Sequence, residues 1–214
     1  RTMMGEEYNA TFTLAMREAG LRIAGTYGIN ASPSMEELRV AVQAMQTTGA
    51  DTLMVITVAI HRYLVAAMQE VGWNPAKLMV CNFVAAIPEF DGPDAFEGWV
   101  GVDQFDEGNP VFQRMVNDFT ARFGRRNGHT YMAIGYDIGR TLARGLAMMA
   151  PSTPDGLRAG LERVRLLPAA AGARGTVISF AKNQRRGYSG DYLVRRTVQD
   201  GVSKVIGGML PDGL

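Results

Sequence analysis

Few residues of this chain could carry out catalysis, and they lie far apart in the sequence. Its imidazole and thiol side chains are limited to His61, His129 and Cys81. A tight transition-metal site needs several such ligands at a regular spacing. The sequence also lacks the nucleophile, phosphate-binding and dinucleotide-binding motifs of common enzymes. We therefore predict no catalytic residue, no metal and no cofactor.

The residues that follow the predicted strands are better suited to noncovalent ligand binding than to catalysis. The apolar runs Asp51–Thr57 and Lys77–Phe83 end in side chains that could line a pocket, although core packing is the alternative for the phenylalanines. Ligands of parallel α/β folds sit beyond the carboxyl ends of the strands. The start of the first helix adds backbone amides that can receive a carboxylate or carbonyl. The predicted ligand-binding residues are Met4, Gly5, Thr57, Val58, Asn82, Phe83 and Phe105.

Other polar and aromatic residues have a simpler structural interpretation. His61 follows a predicted strand end and could touch a ligand, but a surface histidine at a helix start is the commoner case. Tyr131 and Tyr136 begin a long apolar helix, where packing is the expected role. Asp137 lies inside the same helix and needs a partner if it is buried, so we expect a structural hydrogen bond.

The elements that would position the binding residues alternate between helix and strand in the first half of the chain. Ser34 and Glu37 form a capping box that begins a helix ending near Gly49. The run after it is apolar without a period of two, as in a strand covered on both faces. This alternation predicts a parallel sheet flanked by helices. The strands expected in this half are Leu21–Tyr27, Asp51–Thr57, Lys77–Phe83 and Trp99–Val102.

The second half has a different pattern, with three helices in succession. The helix over Tyr131–Met149 is apolar on more than one face, so we expect it to be buried between layers. Thr153 caps the third helix, which begins with Pro154. The tail returns to strands, with Asp200-Gly201 as the turn of a hairpin.

Composition and charge exclude several classes of protein. Hydrophobic residues are 47% of the chain and the net charge is +1, so the basic excess of a nucleic-acid binder is missing. We interpret the pairs Arg125-Arg126, Arg185-Arg186 and Arg195-Arg196 as solvated surface. The longest apolar stretch, Leu53–Ile60, is too short to span a bilayer, and no transmembrane segment is predicted.

Several short motifs occur in an order that is more specific than any one of them. They are Gly49-Ala50-Asp51 before an apolar strand, Glu70-Val71-Gly72-Trp73 at a helix end, Gly98-Trp99-Val100-Gly101-Val102, Asn109-Pro110, and Gly135-Tyr136-Asp137 within the long helix. In order and spacing they resemble the type I periplasmic substrate-binding proteins of ABC transporters, the family that includes the branched-chain amino acid-binding proteins.

This resemblance implies an α/β fold comprising the C-terminal lobe, the hinge and returning helices of a two-lobed protein. Residues 1–103 would form the α/β unit of the second lobe. Residues 104–175 would form a helical segment that packs on the first lobe, and residues 176–214 a returning β segment with a C-terminal hairpin. The first-lobe sheet, which precedes this segment in the family, is absent from the sequence, so the chain would be truncated.

The resemblance also implies a solute-binding component of an ABC transporter, and not an enzyme. Two lobes would close around a small-molecule solute by a hinge motion and present it to a membrane permease, with no nucleic acid involved. The location would be periplasmic, or extracellular and membrane-anchored, in a bacterium. The alternatives are a ligand-sensing regulatory domain of the same fold and, less favoured, a flavodoxin-like enzyme.

One departure from the family bears on the ligand. In the family an acidic residue that pairs with an amino acid's ammonium group lies near the strand end that here reads Cys81-Asn82-Phe83. The nearest acids, Glu89 and Asp91, come several residues later. Since an unpaired buried charge is costly, we expect an aromatic or aliphatic acid without an α-ammonium group, with an amino acid or amide as the other possibility.

Overall fold

The computed structural model of the protein describes residues 3–30, 32–56, 60–79, 93–124 and 130–208. The chain forms two compact units. The first comprises Arg1–Gly101 and Thr197–Lys204, and the second comprises Val102–Arg196 and Val205–Leu214.

Helices and parallel strands alternate in the first unit. Its elements are α1 (Met3–Glu18), α2 (Met35–Thr47), β1 (Thr52–Val55), α3 (His61–Val71), β2 (Ala76–Met79), a short 3₁₀ helix (Pro93–Phe96) and the start of β3 (Val100–Asp103). β1 pairs with β2 in parallel, with Val55 opposite Met79. β2 pairs with β3, also in parallel, with Leu78 opposite Val100. The predicted α/β class with a parallel sheet is therefore confirmed.

The second unit contains helices and a small antiparallel sheet. Its elements are α4 (Pro110–Phe123), α5 (Thr130–Ala147), α6 (Pro154–Leu161), β4 (Leu167–Pro168), β5 (Val177–Ala181) and β6 (Gln184–Ser189). Two strands complete the chain, β7 (Val194–Gln199) and β8 (Val202–Gly208). The larger sheet has the strand order β1-β2-β3-β7-β8, and the chain passes from one unit to the other within β3, β7 and β8.

The core of the first unit joins α2, α3 and the sheet. Leu38 and Val42 of α2 are buried with Leu64 and Met68 of α3. Next to them the rings of Phe96 and Trp99 meet edge to face, with centroids 5.3 Å apart. These contacts fix the helices over β1, because apolar burial is the main free energy that holds such layers together.

Local signals in the sequence place several element ends correctly. Gly20 adopts a φ of 69° and ends α1, as predicted. Its amide and that of Leu21 donate to the carbonyls of Arg17 and Met16, which is a Schellman arrangement. Asp200 and Gly201 have φ values of 53° and 67°, as the predicted hairpin turn requires.

The strand predicted over Leu21–Tyr27 does not form. Residues 21–30 have neither helical nor strand pairing, and most of their side chains are exposed. The sheet begins with β1, so this segment has no neighbouring strand within the described part of the chain. Strand propensity alone cannot satisfy a row of backbone hydrogen-bonding groups, and the prediction was wrong for that reason.

The long helix α5 also differs from expectation. Ala133, Asp137 and Thr141 lie on its buried face, at intervals of one turn. The opposite face is open, with Tyr131 64% exposed and Ile138 61% exposed. The predicted burial between layers and the packing of Tyr131 are therefore not seen within this chain, because among the described residues of the second unit only one face of the helix is covered.

Replacement of Ser34 by alanine should destabilise the first unit by about 1 kcal/mol. The Ser34 hydroxyl accepts a hydrogen bond from the Glu37 amide at 3.1 Å, and the Glu37 carboxylate accepts from the Ser34 amide at 2.7 Å. These bonds also lower the pKa of Glu37. Urea unfolding measures the loss. The control is Ser32→Ala, at an exposed position beside the cap, and an equal loss in both variants would contradict the capping box.

Candidate ligand-binding site

The parallel strands β1 and β2 of the first unit end at the same edge of the sheet. Because Val55 pairs with Met79, β1 and β2 end level with each other. The segments that follow them contain the predicted residues Thr57, Val58, Asn82 and Phe83, which lie outside the described residues. Clefts beyond the carboxyl ends of parallel strands are the usual ligand sites of such folds. The register is thus consistent with a site there, and these four assignments stay predictions.

The two predicted residues at the amino end of the chain lie in the first turn of α1. Met4 and Gly5 are helical, and Gly5 is partly buried. Backbone amides at the start of a helix are a general site for a ligand carboxylate or carbonyl oxygen. Their part in binding stays a prediction.

His61 is a buried core residue, and not the surface histidine that the sequence favoured. It is the first residue of α3 and is only 3% exposed. Its ring meets Phe96 edge-on, with centroids 6.2 Å apart. The start of α3 lies against the short 3₁₀ helix, and this contact removes His61 from solvent.

Phe105, the last predicted ligand residue, lies in an aromatic cluster of the second unit. It is 3% exposed and its ring stacks on Phe112, with centroids 5.1 Å apart. The guanidinium carbon of Arg196 lies 4.4 Å from the centroid of the Phe105 ring. Such contacts between a cation and an aromatic face are favourable where water is excluded.

Arg196 is the most consequential residue that sequence reasoning missed. Its side chain is 1% exposed, so its interpretation as solvated surface was wrong. It donates to the Phe105 carbonyl at 3.1 Å and to both carboxylate oxygens of Glu107 at 3.0 and 2.6 Å. A signal was present, because strand alternation puts Arg196 on the same side as the buried Val194 and Val198.

Asp137 makes the structural hydrogen bonds predicted for it. Its carboxylate accepts from the amide of Ala170 at 2.8 Å and from that of Ala171 at 2.9 Å. The Tyr188 hydroxyl donates to it at 3.3 Å, and Arg140 lies 3.5 Å away. Burial raises the pKa of Asp137, and the two backbone amides and Arg140 offset part of that rise. Burial and the neighbouring Asp137 also raise the pKa of Tyr188.

The side chain of Asn109 binds carbonyl groups of the same short segment whose backbone amides bind Asp137. As the N-cap of α4 its side-chain oxygen accepts from the Val111 amide at 3.0 Å. Its side-chain nitrogen donates to the carbonyls of Ala169 at 2.9 Å and Gly172 at 3.1 Å. The Gly172 amide in turn donates to the Gln104 carbonyl at 2.7 Å. Asn109 and Asp137 therefore fix residues 169–172 next to the segment that carries Phe105.

Across residues 3–30, 32–56, 60–79, 93–124 and 130–208, no group of His, Cys, Asp and Glu side chains is placed to hold a metal ion. No helix within these ranges has the length and apolar character needed to cross a membrane.

The parallel sheet of the first unit defines an α/β fold, and in such folds ligands commonly bind at the edge where the strands end. Residues 2–201 match the periplasmic binding protein family, and the chain belongs to that family. This confirms the resemblance seen in the sequence, and the family is one of binding proteins and not of enzymes. No curated protein sequence matches the chain.

Solved structures of the same fold are similar to most of the chain. A leucine-binding protein from Thermotoga maritima has a TM-score of 0.76 at 15% identity, covering 96% of this chain and 57% of that one. An ABC transporter substrate-binding protein from Desulfitobacterium hafniense has a TM-score of 0.67 at 20% identity, covering 89% and 53%. An extracellular ligand-binding receptor from Rhodopseudomonas palustris has a TM-score of 0.70 at 16% identity, covering 94% and 59%.

The chain therefore spans between about half and three fifths of the length of these solved proteins. At these identities the comparison concerns the fold alone.

We expect the stability contributed by Asp137 to fall as the pH rises. Its pKa is raised from the ordinary 3.8, so the folded state holds the proton at a pH where the unfolded state has released it. The contribution is complete below 3.8 and is lost as the pH rises through the folded-state pKa. Chemical unfolding of the parent protein and of the Asp137→Asn variant, at pH values from below 3.8 upward, gives the difference between their free energies of unfolding. A difference that grows with pH would contradict the assignment.

Arg196→Lys should destabilise the second unit by about 1–2 kcal/mol, because lysine cannot make the paired contact with a carboxylate. Arg195→Lys is the matched control, since the neighbouring side chain is exposed, and it should change stability by less than about 0.5 kcal/mol. Urea unfolding of the two variants measures both values. Equal effects would show that burial of Arg196 by Phe105 and Glu107 contributes nothing specific.

Proposed function

We propose that this protein is the extracytoplasmic solute-binding component of an ABC transporter. The observation that carries the proposal is the match of residues 2–201 to the periplasmic binding protein family. The parallel register of β1 and β2 supports it, because it sends two candidate segments from the same edge of the sheet. The solved protein from Desulfitobacterium hafniense is named as a substrate-binding protein of an ABC transporter, and this supports the same class of function.

The proposed mechanism is closure of two lobes around a solute, without any bond being made or broken. Binding energy would shift an equilibrium between open and closed forms toward the closed form. The strands β3, β7 and β8, which each contain residues of both units, are the segments suited to act as hinges. The closed form would be presented to a membrane permease, with the protein in the periplasm or held extracellularly at the membrane.

In the same proposal, residues 1–103 form the α/β unit of the second lobe. Residues 104–175 pack on a first lobe, and residues 176–214 return as a β segment. The chain covers 53–59% of the matched structures, which supports a first lobe supplied by a further part of such a protein.

We propose a small organic acid as the solute, of aromatic or aliphatic type. The structure of the Desulfitobacterium hafniense protein with leucine makes an amino acid the main competing ligand. An amino acid needs a carboxylate for its ammonium group, since a buried unpaired charge is strongly unfavourable. The segment Cys81-Asn82-Phe83 contains no acid. The side chains predicted around it are apolar or neutral, which suits an acid's hydrocarbon part.

Calorimetry on the two-lobed protein, with benzoate, isovalerate and leucine as probes, tests both the proposed solute-binding function and the proposed class of ligand. We expect one of the two acids to bind and leucine to bind at least about tenfold more weakly. Tight leucine binding without binding of either acid would reject the ligand class. Binding of none of the three would count against this solute site.

Asn82→Asp should change the ligand preference from an organic acid to an amino acid. The new carboxylate would pair with an α-ammonium group and repel an acid, so leucine should gain affinity and the acid should lose it. Asn117→Asp is the matched control, because it makes the same change of charge at an exposed position on α4. If the two variants bind the probes alike, Asn82 does not line the site.

A further inference from the structure

The small sheet of the second unit ends in a cluster of basic side chains. Residues 163–190 contain six arginines and lysines and no aspartate or glutamate, although the whole chain has a net charge of only +1. Five of the six lie on two adjoining segments, residues 162–166 before β4 and residues 182–186 at the turn between β5 and β6. All five side chains are exposed, namely Arg163, Arg165, Lys182, Arg185 and Arg186.

Backbone hydrogen bonds hold these two segments side by side. The Phe180 amide donates to the Val164 carbonyl at 3.0 Å. The Leu166 amide donates to the Ser179 hydroxyl at 2.8 Å. β5 turns into β6 just beyond Phe180, and this turn carries Lys182. The five cations therefore share one end of the small sheet.

The protein neutralises little of this positive charge. Arg185 pairs with Glu162 at 2.9 Å. Arg163 and Arg165 donate to backbone carbonyls, which leaves their charge in place. Within the described ranges no ion pair forms at four of the five cations, which are Arg163, Arg165, Lys182 and Arg186. A surface with such an excess of one charge attracts partners of the opposite charge.

An exposed apolar side chain lies next to these cations. Leu166 is 70% exposed, the largest value among the large apolar side chains of the described residues. Its φ of 48° is in the left-handed region, which leucine rarely adopts. An apolar side chain beside several cations suits a membrane interface, where hydrocarbon enters the headgroup layer and cations pair with phosphates. We call Arg163, Arg165, Leu166, Lys182, Arg185 and Arg186 the basic patch.

We propose that the basic patch binds the surface of an anionic phospholipid membrane. The headgroup phosphates pair with its cations, and Leu166 enters the interface. Clusters of four to eight lysines and arginines are typical of such binding. The association is reversible, because each cation adds only a modest gain. The proposal goes beyond the proposed function and does not depend on the identity of the solute, since the patch belongs to the second unit and the candidate solute segments follow strands of the first.

An acidic protein face is the less suitable partner. A stable protein interface buries about 800 Å² on each partner around a largely apolar centre. The basic patch offers one apolar side chain among long, flexible cations. Mobile lipid headgroups can adjust to such a surface, whereas a protein would need carboxylates fixed at matching positions.

A neighbouring cavity gives a second alternative. It has a volume of about 530 Å³, lies between α5, α6 and β5, and has a largely apolar wall. Arg185 and Arg186 belong to this wall, so a single fatty acid could bind there with its carboxylate at the patch. Arg163, Arg165 and Lys182 are not part of the wall. A layer of headgroups uses these three cations as well, which favours a membrane surface.

Vesicle sedimentation with the 214-residue chain tests the proposal. Vesicles of equal parts phosphatidylcholine and phosphatidylglycerol should bind the protein, and pure phosphatidylcholine vesicles should not. Raising the ionic strength from about 0.05 M to about 0.5 M should release most of it, because exposed charges are screened. Arg186→Gln should lower the partition coefficient about fivefold, and the double variant with Lys182→Gln about twentyfold, since their contributions are similar.

The matched control is Arg174→Gln. Arg174 is an exposed cation of the same acid-free stretch, but it precedes β5 whereas the patch lies beyond the end of that strand. Five strand residues span about 17 Å, which exceeds a Debye length of about 8–10 Å. This variant should therefore change the partition coefficient by less than about twofold.

Leu166→Asn separates the apolar contribution from the charge. Asparagine adopts the left-handed region more readily than leucine, so the melting temperature should stay equal or rise. The partition coefficient should nevertheless fall about threefold to tenfold, because the apolar side chain no longer enters the interface. An unchanged coefficient would remove Leu166 from the proposed contact.

Several outcomes would overturn the proposal. Failure of the parent chain to bind anionic vesicles, or equal losses for Arg186→Gln and Arg174→Gln, would mean that the patch binds no membrane. Release by inorganic phosphate at constant ionic strength would indicate a site for a free anion. Release by monomeric decanoate would assign Arg185 and Arg186 to the cavity. Binding of polyglutamate without binding of vesicles would indicate an acidic protein partner.

Solute calorimetry keeps this proposal apart from the proposed function. The two-lobed protein with Arg186→Gln should bind benzoate, isovalerate and leucine as its parent does. Loss of vesicle binding with unchanged solute binding concerns the patch alone. Failure of solute binding in the parent protein concerns the proposed function alone and leaves the vesicle result unaffected.

Discussion

The register between β1 and β2 is the constraint on which the candidate site depends. Because Val55 pairs with Met79, the parallel strands β1 and β2 end at the same edge of the sheet. The core of Leu38, Val42, Leu64 and Met68 holds α2 and α3 against this sheet. A slip of one residue would turn each side chain of the strand to the opposite face and remove the apolar surface that these helices cover.

A different principle organises the second unit, where buried polar groups bind the backbone of one short segment. Asn109 occupies the carbonyls and Asp137 the amides of residues 169–172. Arg196 holds the Phe105 carbonyl and stacks on its ring. Because every buried hydrogen-bonding group needs a partner, these side chains specify the position of Phe105 more strictly than apolar packing alone would. The part of Phe105 in solute binding stays a prediction.

Structural features that depend on only a few neighbouring residues could be predicted from the sequence. The capping box at Ser34, the end of α1 at Gly20 and the turn at Asp200-Gly201 each depend on local geometry. The hydrogen bonding of Asp137 was predictable because a carboxylate among apolar residues must find a partner. The partner itself was not predictable, since the segment it binds lies more than 30 residues away.

The errors have a common physical cause, which is that burial depends on contacts distant in sequence. Leu21–Tyr27 has the composition of a strand, but no strand within the described part of the chain pairs with it. Arg196 belongs to a basic pair, yet the alternation of β7 turns it inward. Tyr131 lies on an apolar helix of which one face remains uncovered.

The chain belongs to the periplasmic binding protein family, and we propose that its solute lies beyond β1 and β2. The most direct measurement is backbone-amide NMR of the two-lobed protein, titrated with whichever of benzoate, isovalerate or leucine binds. The account predicts that the largest shift changes occur at Ile56 and Ile60, which flank the segment after β1, and at the segment after Met79. Shift changes confined to the cavity between α5, α6 and β5 would contradict it.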